Sequence, residues 1–207
     1  MWLTIFCLAI IAICLAMNLS EGLWSNTVTL VNVIFAAVIA TNYFEPAADV
    51  FTEQAPSYTY FAEFLSLWGI FILSLVIIRI MTDKISRVKV RFKKPVEQGG
   101  IIVSGLLIGW VMVCFTVFAL HLAPLKRNHF GGAFAKSPTS INFFMSPDRL
   151  WLGFMQSRSE GSLSANPVNA FDPQSEFILK YGQRRQNFSK FSTLRAGARR
   201  VRYGPPQ

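Results

Sequence analysis

No lysine or arginine precedes Arg79; all 20 basic side chains lie from there onward. Charged residues make up only 15% of the 207-residue chain, against about a quarter in ordinary soluble domains. A water-soluble fold is therefore not expected for the first three-fifths. Histidine occurs twice, as His121 and His129, and cysteine three times, as Cys7, Cys14 and Cys114. The cysteines sit inside apolar runs without metal-ligand spacing, so they read as small buried hydrophobes, and neither a disulfide, a metal nor a cofactor is expected. A paired-carboxylate cluster and a phosphate-binding loop are also missing, which argues against an enzyme. No basic residue precedes the apolar run at 2–17, and Ile11-Ala12-Ile13 is a poor lipobox ahead of Cys14. Neither a cleaved signal peptide nor a lipid anchor is expected.

Long apolar runs are what the chain does have. Gly100 to Ala123 carries no acid, lysine or arginine, and about 20 apolar helical residues at ~1.5 Å each cross a bilayer. Three more runs, at 2–20, 23–43 and 61–82, predict an all-α integral membrane protein with four transmembrane helices in residues 1–124. Residues 125–207 form a basic extramembrane tail with short amphipathic helices. Gly22 marks the hinge between the first two spans. On the second span Thr29, Asn32, Ala36 and Ala40 share one face, and on the fourth Gly100, Ser104, Gly105 and Gly109 form small-residue pairs. Such stripes let helix backbones approach closely in lipid.

Basic residues orient the spans. The 44–60 loop has none, whereas Arg79, Lys84, Arg87, Lys89, Arg91, Lys93 and Lys94 cluster around the third loop. Basic short loops stay in the cytoplasm, so loop 83–99 is expected inside and both termini outside; long tails cross largely regardless of charge. The net charge of +9 points to anionic headgroups rather than nucleic acid, because the basic residues flank the spans. In the tail, Ser146-Pro147-Asp148 reads as a helix start, followed by the apolar face Leu150, Trp151, Phe154 and Met155. Asp172-Pro173 repeats the signal ahead of Phe177, Ile178 and Tyr181. The two helices are expected on the outer leaflet or against a partner protein.

Glu63 and Arg79 are the only ionisable groups in the third span. They lie 16 positions apart, roughly 24 Å along a helix, and read as anchors at the two membrane faces. The alternative is a polar path shared with Asn26 and Asn32. Ser104 and His121, roughly 26 Å apart on one helix, are too distant for a catalytic dyad.

The order of features resembles the colicin V production protein family of bacterial inner-membrane proteins over residues 1–124. The hinge Ser20-Glu21-Gly22-Leu23 follows the first span. The second closes on Ala36-Ala37, Ala40 and then Tyr43-Phe44-Glu45-Pro46. The fourth carries the spaced Gly105 and Gly109, with Gly100 one residue off the repeat. Unlike the family, this hinge carries Glu21 and no base, and the tail extends beyond the family core. The resemblance implies a bacterial inner-membrane protein linked to peptide-toxin production or export and to envelope homeostasis, without a catalytic residue. Two functions are expected to compete. One is a non-enzymatic protein that works through membrane or envelope partners, or as a homo-oligomer. The other is a subunit of an ion or solute channel or transporter. A shared cavity between Asn32 and Glu63 favours transport; packed surroundings favour the first.

Overall fold

A computed structural model describes residues 2–55, 58–86, 92–125, 129–133, 145–160 and 171–189. Among these residues every regular element is a helix: α1 (Trp2–Asn18), α2 (Leu23–Gln54), α3 (Ala62–Ile85), α4 (Lys94–Leu122), the short turn α5 (His129–Gly132), whose Phe130 and Gly131 are in the left-handed region, α6 (Pro147–Glu160) and α7 (Phe177–Ser189). Helices α2, α3 and α4 are long and apolar enough to cross a membrane. Helix α1 is apolar but only 17 residues long, roughly 26 Å against a hydrocarbon core of about 30 Å.

Helix α4 is the axis. Every residue from Val113 to Ala119 is buried. Helix α1 lies antiparallel along it, with Leu3 and Cys7 against Val113 and Val117. On the other side α2 and α3 join α4 in a core of Ala36, Ala40, Phe44, Leu67, Phe71 and Phe115. Trp151 and Met155 of α6 and Phe177 and Tyr181 of α7 belong to the same core. Of the apolar faces expected in the tail, Trp151, Met155, Phe177 and Tyr181 are used inside the molecule while Leu150 and Phe154 stay exposed, and the tail is docked onto the membrane unit. The outward face of α3 keeps Ile72, Leu73, Val76, Ile77, Ile80 and Met81 exposed, a surface stable only against acyl chains.

Several element boundaries differ from expectation. Helix α2 does not stop near Tyr43 but runs through Pro46 to Gln54. Proline removes one backbone bond and crowds the preceding turn, yet Phe44 and Ala48 on either side of it are buried. The Phe44 ring meets Phe118 edge-on at 6.5 Å, so tertiary packing carries the helix past the breaker. Helix α4 begins at Lys94, earlier than the expected Gly100, with Pro95 in its first turn, where proline's missing N–H costs nothing. Helix α6 starts at Pro147 as expected. Helix α7 starts at Phe177 rather than Pro173. The Asp172 carboxylate accepts from the N–H groups of Glu176 at 2.9 Å and Phe177 at 3.1 Å, so it caps a helix beginning farther along the chain.

Candidate functional site

Polar side chains gather at the two ends of the bundle. At the hinge end, Arg79 donates to Thr29 Oγ1 and to Asp83 Oδ2 at 3.2 Å, and lies 4.0 Å from Glu21. Asn32 Nδ2 donates to Thr82 Oγ1 at 2.9 Å, and Asn26 Nδ2 to the Asn18 carbonyl at 3.0 Å. Trp24 Nε1 donates to Ser86 Oγ at 2.8 Å. The hinge and the last turn of α3 are therefore stitched together by side chains whose alternative in lipid is no partner at all. The amide oxygens of Asn26 and Asn32 are buried and lack a hydrogen-bond partner among the described residues.

At the tail end the three basic residues of α7 each engage a different part of the molecule. Lys180 stands 3.9 Å from Glu45 of α2, an exposed pair that contributes little. Arg184 pairs with Glu63 at the start of α3 and donates to the Tyr60 carbonyl at 3.2 Å; both side chains are largely buried. Arg185 donates through Nη2 to Nδ1 of His121 on α4. His121 Nε2 in turn meets Asp148 Oδ2 of α6 at 3.0 Å. A guanidinium only donates, so Nδ1 must accept; the ring is then neutral with its proton on Nε2, directed at the carboxylate. The row carboxylate–imidazole–guanidinium is overall neutral and ties α4, α6 and α7 together.

Burial by itself would raise the Asp148 carboxyl, but the hydrogen bond from His121 and the Arg149 N–H outweigh it and hold the group below its ordinary value. A depressed carboxyl stabilises the fold above the unfolded-state pKa, and that stabilisation disappears as pH falls through the folded value. The Asp148 carboxylate is therefore ionised at neutral pH, and its contribution is lost as the carboxyl protonates in acid. Burial lowers Arg185 to about 10, which leaves it charged at neutral pH. Trp151 Nε1 adds a bond to Thr41 Oγ1 of α2 at 3.1 Å.

Ala36 and Ala40 are fully buried in the core. A Cβ added at Gly105 would lie 2.9 Å from Leu15 Cδ1, and at Gly109 3.0 Å from Ile11 Cα, so both glycines face α1. Gly100 faces Leu23 instead, with its Cβ position 2.6 Å from the Leu23 side chain, and the Ser104 hydroxyl turns back to the Ile101 carbonyl. Lys84, Lys93 and Lys94 are exposed; Arg87, Lys89 and Arg91 lie outside the described residues. Glu63, expected at the headgroups or on a polar path, is instead bound to the tail. It lies at the opposite end of α3 from Thr82, the partner of Asn32, roughly 28 Å away, so Glu63, Asn26 and Asn32 do not come together. Sequence reasoning missed His121, Asp148, Arg184 and Arg185. The available signal was the spacing of Tyr181, Arg184 and Arg185, which puts two cations on the apolar face of α7.

Apolar spans around α4, bare aliphatic faces and polar side chains gathered at the two ends define a helical membrane protein. The chain matches the colicin V production protein family over residues 3–146 and belongs to that family. The match takes in the start of the tail, up to Ser146. Neither a curated protein nor a solved structure matches the chain.

Proposed function

We propose that this protein is a non-enzymatic bacterial inner-membrane protein that supports toxin production or export, or envelope homeostasis, by holding other membrane or envelope proteins, or further copies of itself. One observation carries this reading. Glu63 and Arg79 are engaged in contacts between helices at opposite ends of the bundle, leaving no row of charges across the membrane among the described residues. In this reading α1 is a fourth crossing, because its residues 3–15 run beside residues 105–117 of α4, the middle of the apolar span. The basic third loop then lies in the cytoplasm and both termini outside, with the docked tail offered to the envelope.

The test is chemical cross-linking in native membranes followed by affinity recovery. The expected result is a discrete cross-linked species, either a homo-oligomer or a complex with a membrane or envelope protein; recovery of monomer alone contradicts the proposal. The orphan amide oxygens of Asn26 and Asn32 favour the second reading, a channel or transporter subunit. Ion or solute flux through reconstituted vesicles is the result that would select it.

A further inference from the structure

Helix α6 has three faces. Asp148, Trp151 and Met155 are buried toward the bundle. Leu152, Gly153 and Gln156 line a cleft of about 480 Å³ shared with Ile178 and Leu179 of α7. The third face carries Leu150, Phe154 and Arg158 in a column at positions i, i+4 and i+8. Leu150 and Phe154 remain 39% and 40% exposed, and Arg158 is exposed at the end of the column.

The bundle face fixes the level at which α6 lies. Trp151 packs on the Phe115 ring at 5.8 Å and bonds to Thr41 of α2. Phe115 sits roughly 10 Å inside the end of α4. Trp68 of α3 meets the same ring at 5.5 Å. Helix α6 thus flanks the tail-side end of the bundle, where Tyr43 of α2 and Phe61 and Leu65 at the start of α3 keep apolar surface exposed.

We propose that α6 is an interfacial helix. Leu150 and Phe154 insert among the acyl chains of the leaflet at the tail end of the bundle, and Arg158 reaches the headgroup phosphates. An apolar strip ending in a cation is the pattern that settles at the headgroup–acyl boundary, with the arginine stem lying along it. The occupant of this face is the bilayer that the bundle already spans. The membrane then secures the tail independently of any protein partner.

The test uses the full-length protein in vesicles of phosphatidylethanolamine and phosphatidylglycerol, with Phe154 replaced by the photoreactive p-benzoylphenylalanine and Leu150 replaced likewise in a second variant. The same probe at Phe35, on the outward face of α2, is the lipid-facing reference. At Gln174, in the turn before α7, it is the aqueous one. On illumination the probes at 150 and 154 are expected to form phospholipid adducts in yields close to that at Phe35 and several-fold above that at Gln174. Yields at the Gln174 level overturn the proposal by placing the face in water. Adducts to protein overturn it by showing that a second copy covers the face.

Discussion

Replacing Asp148 with alanine is expected to release the tail from the bundle. The substitution leaves the Arg185 guanidinium, which is 3% exposed, without the carboxylate that balances it through His121. Removing one member of a buried ionic pair typically costs about 3–5 kcal/mol, because the remaining charge stays desolvated. Amide exchange in α6 and α7 should therefore accelerate by roughly a hundredfold or more. Exchange along α2 and α3, which hold each other through their own apolar faces, should barely change. Unchanged protection of α6 and α7 would mean that the apolar contacts of Trp151 and Phe177 suffice and that the clasp is incidental.

The second large effect is expected at Gly109. Its nearest neighbour across the interface is backbone, Ile11 Cα, 3.0 Å from where a Cβ would stand. A backbone atom cannot rotate away as a side-chain tip can, so Gly109→Leu must push α1 off α4. Overpacking of this kind costs about 1–3 kcal/mol or more, and here it unseats a helix held mainly by that one neighbour. The variant should accumulate poorly in membranes and denature early in detergent. Gly69→Leu is the matched comparison, since a Cβ there meets nothing within 4 Å; a leucine directed at lipid should be harmless. Equal accumulation of the two variants would remove close packing at Gly109 from the account.

Much of the membrane unit was legible in the sequence because the physics of a span is additive: length, apolarity and missing charge are each read along one segment. The glycine stripe was legible for a related reason, since a bare backbone in a lipid-embedded helix has few uses besides close approach. What it approaches, α1 rather than another chain, depends on antiparallel register and is invisible in α4 alone. Pro46 misled because a local rule ends a helix there, while Phe44 and Ala48 keep it going through contacts with distant residues. The ionic clasp was the least readable feature. His121 entered only as a histidine too far from Ser104 for a dyad, Asp148 as part of a helix start, and Glu63 as an anchor. Their partners are separated in sequence by 27 to 121 positions, and only the docked tail brings them together. The cations on the apolar face of α7 were the one local sign that this helix meets buried acids.

Opposed buried charges bolt the tail to the membrane bundle. Thermal unfolding of four proteins in detergent tests this directly: the parent, Glu63→Arg, Arg184→Glu, and the two reversals combined. Each single reversal places like charges together beside α3 and should lower the midpoint. The combined protein restores an opposite pair and should recover most of the loss, a coupling that separates a true contact from two independent injuries. A combined protein as unstable as the sum of the single losses would contradict the clasp.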